Sequence, residues 1–262
     1  ALWSGDYEAR HRRLVEGGDG ILLYDVLDDL SQRRAGELLW GRVDTGGGLF
    51  CAGSSGVEYA LIAHWRQSGA IEPPARSPTA GESEQVFVVS GSCSPVTAGQ
   101  IGWALDNGFE GYPLDPAELL DPATAGNAVE RAIAHCSGAL AAGRSVVAYS
   151  TIGAPDDRTR ALFTEDPEGF SHRLGQAQGR VLTETLRRTG VRRAVVAGGD
   201  TSGHAMQEMG AYALTTLAPI APGSPLCTAH ADDPDLDGLE IALKGGQVGR
   251  EAYFEHVRAG HA

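Results

Sequence analysis

Basic residues are scarce in this chain. Lys and Arg number 21 against 34 Asp and Glu, a formal net charge of −13 in 262 residues. Such a field draws the protein neither to nucleic acid nor to an anionic membrane surface. A local loop of backbone N–H groups still binds phosphate against the global sign. Aromatics are also sparse, at 6% against 42% hydrophobic residues, which fits an aliphatic α/β core. The four cysteines, Cys51, Cys93, Cys136 and Cys227, stand far apart. They form neither a zinc-site spacing nor a disulfide framework, so a cytoplasmic location is expected. No apolar run has the length of a membrane span, and no signal peptide is read at the start. Four familiar patterns are missing as well: HExxH, the GxSxG elbow, GxxxxGK(S/T) and GxGxxG.

Glycine, by contrast, is plentiful at 36 copies, so sharp turns and close backbone approaches are expected. The apolar run at 21–26 (ILLYDV) reads as a buried strand, followed by a charged helix from Asp28 to about Trp40. A short apolar run at 49–52 leads through residues 53–56 (GSSG) into a helix at 57–65. Residues 69–85 are rich in Pro, Gly, Ser and Glu with no apolar face, and mark a domain boundary.

Beyond the boundary, strands alternate with helices. Strands are expected at 86–89, 112–114, 145–150, 193–197 and 239–243. Helices are expected from Pro95 to about Leu105, then at 121–142, 169–189 and 203–214, with a closing one to about Ala259. This alternation predicts a three-layer α/β/α fold with a mostly parallel sheet, preceded by a partial α/β domain.

Three turns at strand ends carry the candidate chemistry. In Gly198-Gly199-Asp200-Thr201-Ser202-Gly203, adjacent glycines let N–H groups turn inward, and the following helix aims its positive end at the same point. Thr201 and Ser202 can cap that helix or donate to phosphate, and Asp200 is a candidate magnesium ligand. In Ser90-Gly91-Ser92-Cys93-Ser94 three hydroxyls sit at a strand's carboxyl end, the edge where open α/β sheets bind ligands. In Lys244-Gly245-Gly246-Gln247-Val248-Gly249 the lysine can meet a phosphate as a point charge, and the glycines admit a base or ribose. Each turn also has a plain alternative: a glycine-rich strand-to-helix turn, an N-cap with two spare serines, and a solvated lysine before a loose turn. Convergence of all three on one sheet edge would favour ligand binding. His204 reads as polar surface, the stretch around His230, Asp232 and Asp233 as a solvated loop, and Asp156-Asp157 as a capped loop.

Together these loops resemble the carboxyl-terminal half of the four-carbon acid sugar kinase family. The resemblance runs from about Ile21 to Phe254. Its most specific pieces are VVSGSCSPVT (88–97), GRVLTETLRRTGVRRAVVAGGDTSG (179–203), APGSPL (221–226) and IALKGGQVGREAYF (241–254). It implies an ATP-dependent kinase, using Mg2+, that phosphorylates a hydroxyl of a four-carbon sugar acid. Residues 85–262 would be the nucleotide-binding domain. Residues 1–78 would be the end of an acid-sugar-binding domain plus a linker, without the family's opening Asp-rich motif. ATP contacts are implied at Ser90 and Ser92, at Gly198, Gly199, Asp200, Thr201, Ser202 and Gly203, and at Lys244, Gly245 and Gly246. The catalytic base is expected in the absent amino-terminal region. In the last loop Gly245, Gln247 and Val248 depart from the commoner Lys-Ser-Gly-Asn-Phe-Gly form. The partners expected are a sugar acid and ATP, and a homodimer is compatible with the resemblance. Two other readings stand beside it: a non-catalytic nucleotide-binding or regulatory module, and a hydrolase using a serine of the Ser90–Ser94 loop.

Overall fold

The computed structural model describes residues 2–18, 20–44, 50–53, 55–72 and 78–262. The chain divides into two compact units, Ala1–Arg76 and Ser77–Ala262. The described residues of the first unit form three helices: α1 (Tyr7–Glu16), α2 (Asp29–Asp44) and α3 (Ser55–Gln67). Asp28 starts α2 through a reciprocal cap. Its carboxylate accepts the Ser31 N–H at 2.8 Å, and the Ser31 hydroxyl accepts the Asp28 N–H at 3.1 Å. Gly36 lets α3 approach α2 closely, since a Cβ there would lie 1.9 Å from the Ala60 carbonyl oxygen.

The strand expected at 21–26 is not formed. This stretch has no regular structure, and Ile21 and Leu23 are exposed at 93% and 91%. A strand needs a ladder partner, and the described residues of this unit contain no other strand. The regular elements described in the front piece are therefore all helices, and no strand of an α/β unit is among them. Leu49, Ser54 and residues 73–77 of the expected linker lie outside the described residues.

The second unit holds a seven-stranded sheet in the order β2-β3-β1-β4-β7-β6-β5. Its strands are β1 (Phe87–Ser90), β2 (Glu110–Pro113), β3 (Val146–Tyr149), β4 (Arg193–Ala197), β5 (Ala211–Ala221), β6 (Ser224–Ala231) and β7 (Glu240–Lys244). The first five in spatial order are parallel, and β6 and β5 add an antiparallel hairpin. Phe87 and Val89 face one core, shared with α5 (Pro116–Leu120), α6 (Ala125–Ala141), α8 (Pro167–Thr189) and α9 (Gly199–Met209). Val86 and Val88 face the other, shared with α4 (Pro95–Asp106) and α10 (Tyr253–Ala259). Burial on both faces explains why β1 and β4 are apolar runs apart from Ser90 and Arg193 at their ends.

Two expectations are corrected in this unit. The helix expected at 203–214 starts earlier, at Gly199, and stops at Met209, where Gly210 takes a left-handed cap at φ +64°. Residues beyond it enter the β5–β6 hairpin, turned at Gly223 with φ +78°. The stretch after Asp156 is a helix, α7 (Asp157–Glu165), with Asp156 capping it by accepting the Thr159 N–H at 2.7 Å.

At the amino edge of the sheet, Arg193 is 3% exposed and paired with Glu240. Its guanidinium also donates to the carbonyls of Gly81 (2.8 Å) and Arg258 (2.9 Å). The leading segment and the end of α10 are clasped there: Ala80 N–H donates to the Gly260 carbonyl at 3.0 Å.

The chain leaves β1 through α4 on one face toward β2. It leaves β4 through α9 on the other face toward β5. Between β1 and β4 the winding reverses. In open α/β sheets, the carboxyl side of that reversal is the ligand crevice.

Candidate functional site

Sheet register places the three candidate loops side by side. Ser90 pairs with Ala197, and Ala197 with Lys244, so all three strands end in one row. The loops are stitched to one another. Gly91 N–H donates to the Ala197 carbonyl and Gly198 N–H to the Lys244 carbonyl, both at 2.9 Å. The Thr97 hydroxyl donates to the Gly246 carbonyl at 2.9 Å. A Cβ on Gly246 would lie 2.8 Å from Ser92 Oγ. Ser90, Ser92, Gly198 to Gly203 and Lys244 to Gly246 thus gather at the switch point.

Within the serine loop each hydroxyl accepts a backbone N–H two residues on. Ser90 takes that of Ser92 (3.5 Å), Ser92 that of Ser94 (3.3 Å) and Ser94 that of Val96 (3.2 Å). The last of these caps α4, with Pro95 at its first position. No histidine is among the hydrogen-bond partners of Ser90 or Ser92 in the described residues. In the described residues the Ser90 and Ser92 hydroxyls are engaged by backbone N–H groups of their own loop.

Gly198 caps α9 at φ +125°, ψ 134°, a conformation that side chains rarely adopt. The Thr201 hydroxyl donates to Gln178 Oε1 at 3.3 Å, and that of Ser202 to the Gly198 carbonyl at 2.7 Å. Both hydroxyls turn into the protein instead of capping the helix. Helix geometry leaves the N–H groups of Gly199, Asp200 and Thr201 without intrahelical acceptors. Asp200 is exposed in this first turn, and Gly199 opens onto free space. The amino ends of α4 and α9 reach the same sheet edge from opposite faces, and each brings the positive end of its dipole.

Lys244 is 1% exposed. Its ammonium donates to Thr97 Oγ1 at 2.8 Å, and among the described residues it forms no ion pair with a carboxylate. Burial lowers its pKa from an ordinary 10.5 to about 8. The contrast with Arg193 is informative. Both are buried cations on the β4–β7 pair, yet the one at the amino edge is fully paired and the one at the carboxyl edge is not. A buried cation without a counter-charge is costly, and a bound anion would relieve that cost.

Three further residues build the site. Gln100 Nε2 donates to the carbonyls of Val248 (2.9 Å) and Arg250 (3.0 Å), which fixes the last loop. Thr97, one turn earlier on α4, joins Lys244 to Gly246. Gln178 on α8 bonds to Thr201 and to the Ser90 carbonyl. The first two were signalled by polar residues three apart on an otherwise apolar helix. Gln178 was signalled by its place between Gly175 and Gly179. His204 sits against His172, ring centroids 5.1 Å apart. His230 bonds to Thr215, and Asp233 pairs with Arg187, so that stretch is tied into the fold. No group of three or more metal-ligating side chains occurs among the described residues.

Fold and site together define a doubly wound α/β protein whose polar loops meet at the topological switch point. The family described as the nucleotide-binding C-terminal domain matches residues 87–254. The chain belongs to that family, the carboxyl-terminal domain of the four-carbon acid sugar kinases. A 3-oxo-isoapionate kinase of Paraburkholderia graminis is 41% identical over 266 positions, covering 99% of this chain and 56% of the relative. A 3-oxo-tetronate kinase of Cupriavidus necator is 32% identical over 214 positions, covering 78% of this chain and 45% of the relative. The chain thus spans about half the length of the curated relatives it matches. Among solved structures, one from Salmonella typhimurium LT2 superposes with a TM-score of 0.69 at 21% identity, covering 98% of this chain and 56% of that one. The Haemophilus influenzae protein HI1011 does so at 0.56 and 24% identity, covering 89% and 52%. Both share the fold.

Proposed function

We propose that this chain supplies the nucleotide site of an ATP-dependent kinase acting on a hydroxyl of a small sugar acid. The observation that carries the reading is Lys244, a buried cation without a counter-charge among the described residues, set beside two helix amino ends at the switch point. The names of the relatives favour a four-carbon or similar 3-oxo acid as substrate.

In this reading the open N–H groups of Gly199, Asp200 and Thr201 and the Lys244 ammonium hold phosphate oxygens. They offset the charge that shifts during in-line transfer. Ser90 and Ser92 shape the loop beside them, and Gly245 and Gly246 admit the nucleoside. Asp200 would hold magnesium, and the ion would supply charge neutralisation. The base that takes the substrate proton is assigned to the acid-sugar-binding portion of the relatives' length. Residues 1–78 are proposed as the end of that portion, and residues 85–262 as the nucleotide-binding domain.

Gly199→Val tests the reading. A Cβ at this position meets nothing within 4 Å, so the fold has room for the side chain, and in this reading the added bulk would crowd the phosphate. ATP with Mg2+ at a hundred times Kd should stabilise the wild type by about 2.7 kcal/mol. Gly199→Val should lose that gain while its ligand-free Tm moves by only about 2 °C. Equal ATP-dependent shifts in the two proteins would remove the nucleotide from this turn.

A further inference from the structure

Gly175, Gln178 and Gly179 lie on the face of α8 that meets α9. A Cβ on Gly175 would lie 2.2 Å from His204 Cδ2, and one on Gly179 3.2 Å from Ala205 Cα. The two glycines let the helices approach, and between them stands one long polar side chain, fully buried. Gln178 Nε2 donates to the Ser90 carbonyl at 3.2 Å, and Gln178 Oε1 accepts the Thr201 hydroxyl at 3.3 Å. A single amide therefore joins the end of β1 to the first turn of α9. The chain is built around this contact. A Cβ on Gly91 would lie 2.1 Å from Thr201 Oγ1 and 2.6 Å from Gln178 Oε1, so the serine loop passes where only glycine fits.

We infer that Gln178 is a positioning residue for nucleotide binding, setting the spacing between the serine loop and the open N–H groups of α9. The inference rests on the nucleotide reading above. Two loops that grip one polyphosphate must keep a fixed separation, because misplacement by a fraction of an ångström weakens every contact at once. Thr201 takes part through the hydroxyl that it turns away from the crevice toward Gln178. Its N–H remains free for the ligand.

The test uses the full chain and isothermal titration with ATP and Mg2+, beside ligand-free thermal melts. Gln178→Met keeps length and volume but removes both hydrogen bonds. Thr201→Val removes the same bond from the other side, and Thr201→Ser keeps it. Gln178→Met and Thr201→Val should each weaken ATP about tenfold. Thr201→Ser should stay near the wild type, and the double variant should lose no more than the weaker-binding single. Wild-type affinity in Gln178→Met, a lowered Tm with unchanged affinity, equal affinity in Thr201→Val and Thr201→Ser, or fully additive losses would each overturn the positioning role alone. A wild type that binds no ATP would overturn the nucleotide reading, and this role with it.

Discussion

At the scale of single residues, Lys244 concentrates the chemistry. Its pKa near 8 means that between pH 8 and 10.5 the folded chain has shed a proton that the unfolded chain still holds. Stability rises with pH wherever the unfolded state binds more protons, so this group penalises the fold below pH 8 and ceases to as pH climbs to 10.5. The penalty at neutral pH is at most about 3 kcal/mol. Lys244→Met should therefore raise ligand-free stability in urea at pH 7 by about 1–3 kcal/mol, less what the Thr97 bond contributes, and should flatten the rise between pH 8 and 10.5. ATP stabilisation should move the other way. In the wild type it should decline above pH 8 as the ammonium empties, and in Lys244→Met it should be weak at every pH. A variant less stable at pH 7 with unchanged ATP affinity would show the lysine to be purely structural.

At the scale of elements, the α8–α9 contact sets the site's shape. Gly175→Ala should cost about 1–3 kcal/mol in urea unfolding, because the new methyl meets the stem of His204 in a closed interface. An unchanged midpoint would mean that α9 can slide.

Much of this level was legible in the sequence. Strands β1, β3, β4 and β7 announced themselves as short, doubly buried apolar runs, and α4 by Ser94 and Pro95. The three loops fell at strand ends as read, but their convergence depends on register, which no local pattern encodes. The stretch Ala211–Ala221 is hard to read because its apolar side chains, Tyr212 and Leu214 among them, stay exposed or half-buried until Ala218 and Ile220 turn inward. Residues 21–26 are the opposite case. They have a strand's composition but no partner strand among the described residues. The early start of α9 carries no local signal, because Gly198, not a hydroxyl residue, caps it. Gln178 could be seen as a polar residue on a glycine-lined face, but its two partners lie 88 and 23 positions away.

At the scale of the whole molecule, the clasp around Arg193 has a consequence for connectivity. Ala80 and Gly260 are hydrogen-bonded neighbours, and Ser83 N–H donates to the Arg258 carbonyl at 2.8 Å. The second unit is therefore nearly a closed ring, its ends meeting at the sheet edge opposite the loops. A circular permutant that joins Ala262 to Pro78 through a short Gly-Ser bridge, and opens the chain in the exposed turn at Gly143, should fold and keep ATP-dependent stabilisation. Loss of folding would show that the order of synthesis matters to this sheet. Success would mean that the ring, not the chain's direction of entry, is what evolution has to preserve.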